Sequence, residues 1–229
     1  MARSALRSSI GKKAVMAVTG LILFGFVLAH LAGNLLVYLG PDALNAYADK
    51  LRHMGPLLWA LRAGLLATVT AHLWLAIVLT KENRSARPIP YAVLRSAQTT
   101  ASARTMMVSG LLVTAFLIYH LLHFTFRVTH PDLSHRVDAL GRHDVFAMVV
   151  LSFHDPRLAL SYVAAMGLLC AHLHHGVASW LQSLGLNNER LLPAIERAGR
   201  LTAWLIFLGY VSIPIAVLAG VIAPPAGVF

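Results

Sequence analysis

Charge is scarce in this chain. Only 12% of its 229 residues are Asp, Glu, Lys or Arg, about half the roughly 25% typical of a soluble domain. An ordinary water-soluble globular domain is therefore excluded. Cysteine is almost missing: Cys170 stands alone, which excludes a disulfide framework and any Cys-rich zinc or iron–sulfur site. Acid is the scarcer sign of charge, nine Asp and Glu against 19 Lys and Arg. Apolar residues are abundant at 58%, too many for a disordered chain. The net charge of +10 suits basic loops at a membrane face rather than a nucleic-acid partner, and none is expected.

Five charge-free runs stand out, at 14–41, 63–80, 105–126, 158–188 and 201–229. The second extends back to Gly55 if Arg62 snorkels. Each is long enough for a spanning helix, which needs about 20 apolar residues. No Asp or Glu lies in any of them, which argues against a carboxylate proton relay inside the bundle. The expected architecture is an all-α membrane protein, a bundle of five transmembrane helices at about 14–39, 57–80, 105–126, 158–181 and 201–223, forming one domain over 1–229. Pro214 lies inside the fifth helix and Pro224-Pro225 ends it. The basic segment Arg3, Arg7, Lys12, Lys13 precedes an apolar run too long for a signal core, so the first helix is expected to be retained.

Lys and Arg divide unevenly between the two sides. The side with the N-terminus and the loops 81–104 and 187–200 holds twelve of them, and the other side holds seven. Six of the nine acids lie on that second side. The positive-inside rule then makes the N-terminus cytoplasmic and the C-terminus external. The long polar loop 127–157 is expected to hold a short amphipathic segment.

Twelve histidines in so apolar a chain are the unusual feature, because an intramembrane His is costly and by default functional. Helices one to four carry His30, His72, His120 (with His123 a turn later) and His172 (with His174 and His175), and helix five carries none. His30 lies 16 residues and His120 15 residues from the N-terminal side, roughly 24 and 22 Å deep. His72 and His172 lie nine and ten residues from that side, roughly 13 and 15 Å. Two layers result, His30 with His120 and His72 with His172. Two facing imidazoles at one depth on different helices suit one haem each. Gly25, Ala29, Ala32, Gly33, Ala71, Ala76, Gly167, Ala171 and Gly176 beside these residues would admit a flat macrocycle, although small residues in membrane helices more often serve packing. The competing reading from another class is a His-lined metal transporter, which would prefer carboxylates among the His.

The sequence Ser8-Ser9-Ile10-Gly11-Lys12-Lys13, then Thr19-Gly20, then His30-Leu31-Ala32-Gly33-Asn34, continues through Ala71-His72-Leu73 and Tyr119-His120-Leu121-Leu122-His123-Phe124. It ends with His172-Leu173-His174-His175-Gly176, Trp180 and Gln182-Ser183-Leu184-Gly185-Leu186-Asn187. In order and spacing this resembles the cytochrome b membrane-anchor subunit of succinate dehydrogenase and fumarate reductase, in its single-chain, five-helix, two-haem form. The resemblance covers helices one to four. It implies two haem b groups, the proximal one held by His72 and His172 and the distal one by His30 and His120. It favours His120 over His123, and His172 over His174 and His175. It also implies a flavoprotein and an iron–sulfur subunit docked on the cytoplasmic side, membrane lipid and a quinone, commonly menaquinone, as partners, a bacterial inner membrane location, and room for a higher oligomer of the complex. The chain's own chemistry would then be quinone reduction or quinol oxidation. A cytochrome b anchor of a hydrogenase or formate dehydrogenase is the alternative within the class.

Two departures matter. Some family members place a proton-linked Glu two residues before the helix-four ligand, where this chain has Cys170. A thiol is a poor proton carrier there, so no such path is expected. Some use an acid near the start of helix two at the quinone. Here His53 precedes Gly55-Pro56 with Asp49 behind it, which makes His53 and Asp49 the quinone candidates. Trp59, Trp74, Trp180, Tyr38 and Tyr210 read as interfacial anchors. Arg62, Arg104 and Arg127 read as haem-propionate partners or as snorkelling ends. His130, His135, His143 and His154 lie in the long loop without tight ligand spacing.

Overall fold

The computed structural model describes residues 8–86, 101–183, 190 and 192–224. The elements are α1 Ser9–Asn34, continued by a 3-10 turn Leu35–Leu39; α2 Pro41–Arg52; α3 Pro56–Ser85; α4 Ala101–His120, running into a π-helical turn Leu121–Thr125; α5 Pro131–Ser134; α6 Val145–His154; α7 Pro156–Ser183; and α8 Leu192–Leu218. Among the described residues no strand forms, only an isolated bridge between Val137 and His143. Five helices are long and apolar enough to cross a membrane: Ser9–Leu39, Pro56–Ser85, Thr105–Thr125, Pro156–His174 and Leu192–Leu218. The fold is all-α. The face holding the start of α1 and the end of α3 is called the base here, and the face holding α2 and α6 the cap.

Local chemistry sets the ends. The Ser8 hydroxyl accepts from Gly11 N–H at 3.0 Å and caps α1. Gly40 and Gly55 take φ of +92° and +56°, and each hands the chain to a proline that opens the next helix. α8 stops at Gly220 with φ +72°. There Val221 N–H bonds Ala216 O at 2.9 Å and Gly220 N–H bonds Val217 O at 3.0 Å, a Schellman closure.

The helices outrun the charge-free runs at the base. α1 begins with Lys12 and Lys13 already in its first turns, and α3 continues through Lys81 and Glu82. Lys12 Nζ pairs with Glu82 Oε1 across these two helices, so both charges find partners without ending either helix. α8 begins at Leu192 instead of 201, since Glu196, Arg197 and Arg200 are tolerated in its first turns. The loop 87–100, the basic residues Arg3 and Arg7 and the motif residues Leu184-Gly185-Leu186-Asn187 lie outside the described residues, as do the side chains of Arg104, His175 and Gln182.

α7 is the centre of the bundle. It packs on α8, α4 and α1, and α1 in turn packs on α3, whereas α3 and α4 barely meet. The core is concentrated at the cap. There Val37, Leu44, Phe146, Val150, Phe153, Tyr162 and Val217 form one buried cluster. The loop 127–157 was expected to hold a short amphipathic segment, and α6 is its longest helix. Every residue from Phe146 to Phe153 is buried, because α2, α5, α7 and α8 all cover it. At ten residues it is too short to cross a bilayer. Polar bonds lock it in place. Asp144 accepts from Ala147 N–H at 2.9 Å, and Asn45 of α2 donates to Asp144 Oδ1 at 3.0 Å while accepting from Phe146 N–H at 2.9 Å.

Candidate functional site

His30 and His120, assigned to one depth, meet near the cap. Their ring centroids are 5.9 Å apart with the planes at 85°. Helical spacing builds the surroundings. Phe26, four residues before His30, stacks on it at 5.4 Å. Phe116 and Phe124, four residues either side of His120, lie 5.9 and 5.6 Å from it. Tyr162 of α7 lies 6.0 Å from His120, and Tyr210 of α8 lies 6.2 Å from His30. Two bonds hold α1 here: Asn34 Nδ2 donates to His30 O at 2.7 Å, and the Tyr210 hydroxyl donates to Val27 O at 2.9 Å. An iron held by two imidazoles keeps its nitrogen ligands about 4 Å apart, twice a metal–nitrogen bond, and the ring centres roughly 6 Å apart. The ring-centre separation is of that size, in an edge-on contact.

His123 goes elsewhere. Its side chain is fully buried, with Nδ1 2.9 Å from the Tyr162 hydroxyl and Nε2 3.1 Å from Ser152 Oγ. The Ser152 hydroxyl donates to Met148 O at 2.7 Å, so it accepts from the His123 Nε2–H, and the Tyr162 hydroxyl donates to Nδ1. Both nitrogens of His123 are thereby engaged by protein groups. Three residues of spacing left His120 and His123 as alternatives. The π-helical turn that begins at Leu121 carries His123 into the core between α6 and α7, while His120 faces α1.

The second layer is built differently. His72 of α3 places Nδ1 3.1 Å from Thr19 Oγ1 of α1. His172 of α7 places Nδ1 3.2 Å from Ser109 Oγ of α4. A Gly follows each hydroxyl residue, and a Cβ on Gly20 or Gly110 would stand 3.3 or 3.1 Å from the Cε1 of the respective His. Among the described residues no ring contact joins His72 to His172.

The small residues that touch these histidines are therefore on neighbouring helices. Small residues on the ligands' own helices have other surroundings in four cases. Ala71 lines a shallow open groove of about 540 Å³ along α3, with Ala63, Leu66, Ala67, Thr70 and Trp74. Gly33 packs on Tyr47 and Gly176 on Met106, and a Cβ on Gly25 would meet nothing. Thr19-Gly20 was visible only as a motif, and Ser109-Gly110 was missed. The shared signal was a hydroxyl followed by glycine, one helix over from a His. Trp180 adds an orphan: its indole Nε1 is buried with no acceptor among the described residues.

The quinone candidates His53 and Asp49 do meet. His53 Nδ1 lies 2.9 Å from Asp49 O and 3.3 Å from its Oδ2. They sit at the end of α2, with the His53 side chain 78% exposed. Arg127, with φ of +59°, donates to His143 Nε2 at 3.2 Å within the cap. Arg62 lies over Trp59 at 5.1 Å. Among the described residues no group of three or more His, Cys, Asp or Glu is placed to hold a metal ion. In the cap, burial would raise the Asp138 carboxyl, but bonds from the Arg142 side chain and from the Arg142 and Leu140 N–H groups hold it below the usual range. Burial, with the Arg127 charge beside it, lowers the His143 pKa.

Comparison with family models, with curated proteins and with solved structures finds no match for this chain.

Proposed function

We propose that this chain is a dihaem cytochrome b membrane anchor of a succinate:quinone oxidoreductase. In this reading it passes electrons between an iron–sulfur subunit at the base and a membrane quinone, commonly menaquinone. The observation that carries it is the approach of His30 and His120 to 5.9 Å between ring centres, with His123 withdrawn into bonds of its own. His30 and His120 would hold one haem and His72 and His172 the other. Bound haem supplies one-electron exchange between ferric and ferrous iron.

The remaining roles belong to the chain. Phe26, Phe116, Phe124, Tyr162 and Tyr210 surround the His30–His120 pair with rings. The buried Trp180 Nε1–H suits a haem propionate oxygen, an acceptor of the kind it lacks. His53, touching Asp49, is the candidate group for proton exchange with quinone. That role, the flavoprotein and iron–sulfur partners, and a bacterial inner membrane location rest on the resemblance. A hydrogenase or formate dehydrogenase anchor would dock its partner on the cap face instead.

The test is purification of the chain with its native partners, followed by reduced-minus-oxidised spectra and a pyridine haem assay. Wild type should carry two haem b per chain, and His30→Ala and His72→Ala should each lose a different one. A haem-free wild type overturns the proposal and favours the metal transporter.

A further inference from the structure

We propose that Thr19 and Ser109 are positioning residues that set the tautomer and orientation of His72 and His172, so that each presents Nε2 as the ligating nitrogen. This rests on the dihaem reading above. The argument is hydrogen bookkeeping. Thr19 Oγ1 lies 3.0 Å from Val15 O and 2.9 Å from Met16 O, both on its own helix. A hydroxyl has one hydrogen and two lone pairs. With that hydrogen directed at the helix carbonyls, Thr19 meets His72 Nδ1 at 3.1 Å as an acceptor. Nδ1 therefore carries the proton and Nε2 the lone pair. Ser109 repeats the arrangement, with Oγ donating to Met106 O at 3.1 Å and meeting His172 Nδ1 at 3.2 Å.

The glycines complete the seat. Gly20 and Gly110 directly follow the two hydroxyl residues, and their missing Cβ atoms leave the 3.3 and 3.1 Å of clearance that the imidazole edges use. The same hydroxyl-glycine step thus serves α1 against α3 and α4 against α7. The other layer has no counterpart. Among the described residues, no hydrogen bond reaches a ring nitrogen of His30 or His120, whose surroundings are aromatic. A metal-ligating imidazole commonly donates its other N–H to an acceptor, which orients the ring and raises its basicity. A more basic ligand favours ferric iron, so loss of the hydroxyl should favour ferrous iron at that site alone.

The experiment is a redox titration of the purified complex, following the two haem b signals separately, with haem per chain counted in parallel. Thr19→Val and Ser109→Ala should each shift one signal to more positive potential, the signal that His72→Ala abolishes, and leave the other unmoved. Retention of that haem should weaken about tenfold, the low end of the cost of second-shell changes. Thr19→Ser and Ser109→Thr, which keep the hydroxyl, should restore wild-type behaviour. Two haems with unmoved potentials in Thr19→Val and Ser109→Ala would overturn this inference alone, as would a shift of the His30–His120 signal. A haem-free wild type would overturn the dihaem reading with it.

Discussion

At the cap, imidazoles sit in a dense core. His30 and His120 are wrapped by aromatic rings, His123 is fully bonded between α6 and α7, and Asn45 and Asp144 pin the short helices over them. At the base, His72 meets the Thr19 hydroxyl and His172 the Ser109 hydroxyl, each beside a glycine on the adjacent helix. Both regions answer the same demand, because a polar ring inside a membrane protein needs partners. The cap meets it with tertiary packing, which requires several elements to arrive together. The base meets it with hydroxyl side chains on adjacent helices. Disturbance should therefore spread through the cap and stay local at the base.

Three changes would break or sharpen that contrast. The largest effect is expected from Asn45→Ala. Asn45 is 1% exposed and bonds Asp138, Asp144 and the Phe146 N–H. Its loss leaves buried partners unsatisfied, at a cost of about 3 kcal/mol. Thermal unfolding in detergent should show a lower, broader transition, and both the His30 and His123 surroundings should respond. An unchanged transition would show that α2 and α6 do not act as one lid.

Glu82→Gln probes the base. It leaves Lys12, whose side chain is 11% exposed, without its carboxylate. Because Glu82 is itself 40% exposed, solvent screening limits the cost to about 1 kcal/mol. The melting temperature should drop slightly, and the difference from wild type should shrink at high salt. A drop as large as that of Asn45→Ala would erase the contrast between the two ends.

The smallest effect is a pH response in the cap. The His143 pKa is lowered by burial and by Arg127, with Arg52 adding to it, and partly offset by the Arg136 carbonyl and Asp144. A group lowered on folding stabilises the fold while neutral, so its contribution is present above the unfolded value of about 6.5 and is lost as pH falls through the folded value. Asp138, also lowered, loses its contribution only in the acid range below the ordinary carboxylate pKa. Stability of the purified protein should fall as pH drops below about 6.5, and His143→Gln should flatten that first step while leaving the acid step. A first step that survives the substitution would assign it to another group.

Much of the bundle was legible without coordinates. Charge-free runs locate five helices because a bilayer offers no partner to stray charge. Residue counting places His30 and His120 at one depth because a helix rises evenly. Helix ends were less legible. Lys12 and Glu82 neutralise each other inside helices that a charge count would have ended, and α8 starts nine residues early for a similar tolerance. The burial of α6 was not legible either. Its loop is polar in composition, but Asp144 and Asn45 cap a ten-residue apolar helix that four other elements cover.

By itself the sequence determined an all-α protein with five spanning-capable helices and histidines on four of them, because composition and helical rise are one-dimensional quantities. Only the tertiary structure decided that His120 faces His30 while His123 turns into the core. A π-helical turn and the packing of α6 on α7 choose between two residues three apart. It alone showed that Thr19 and Ser109 meet His72 and His172, since a contact between helices depends on rotation about the helix axis, and spacing along one chain segment carries no information about its neighbour.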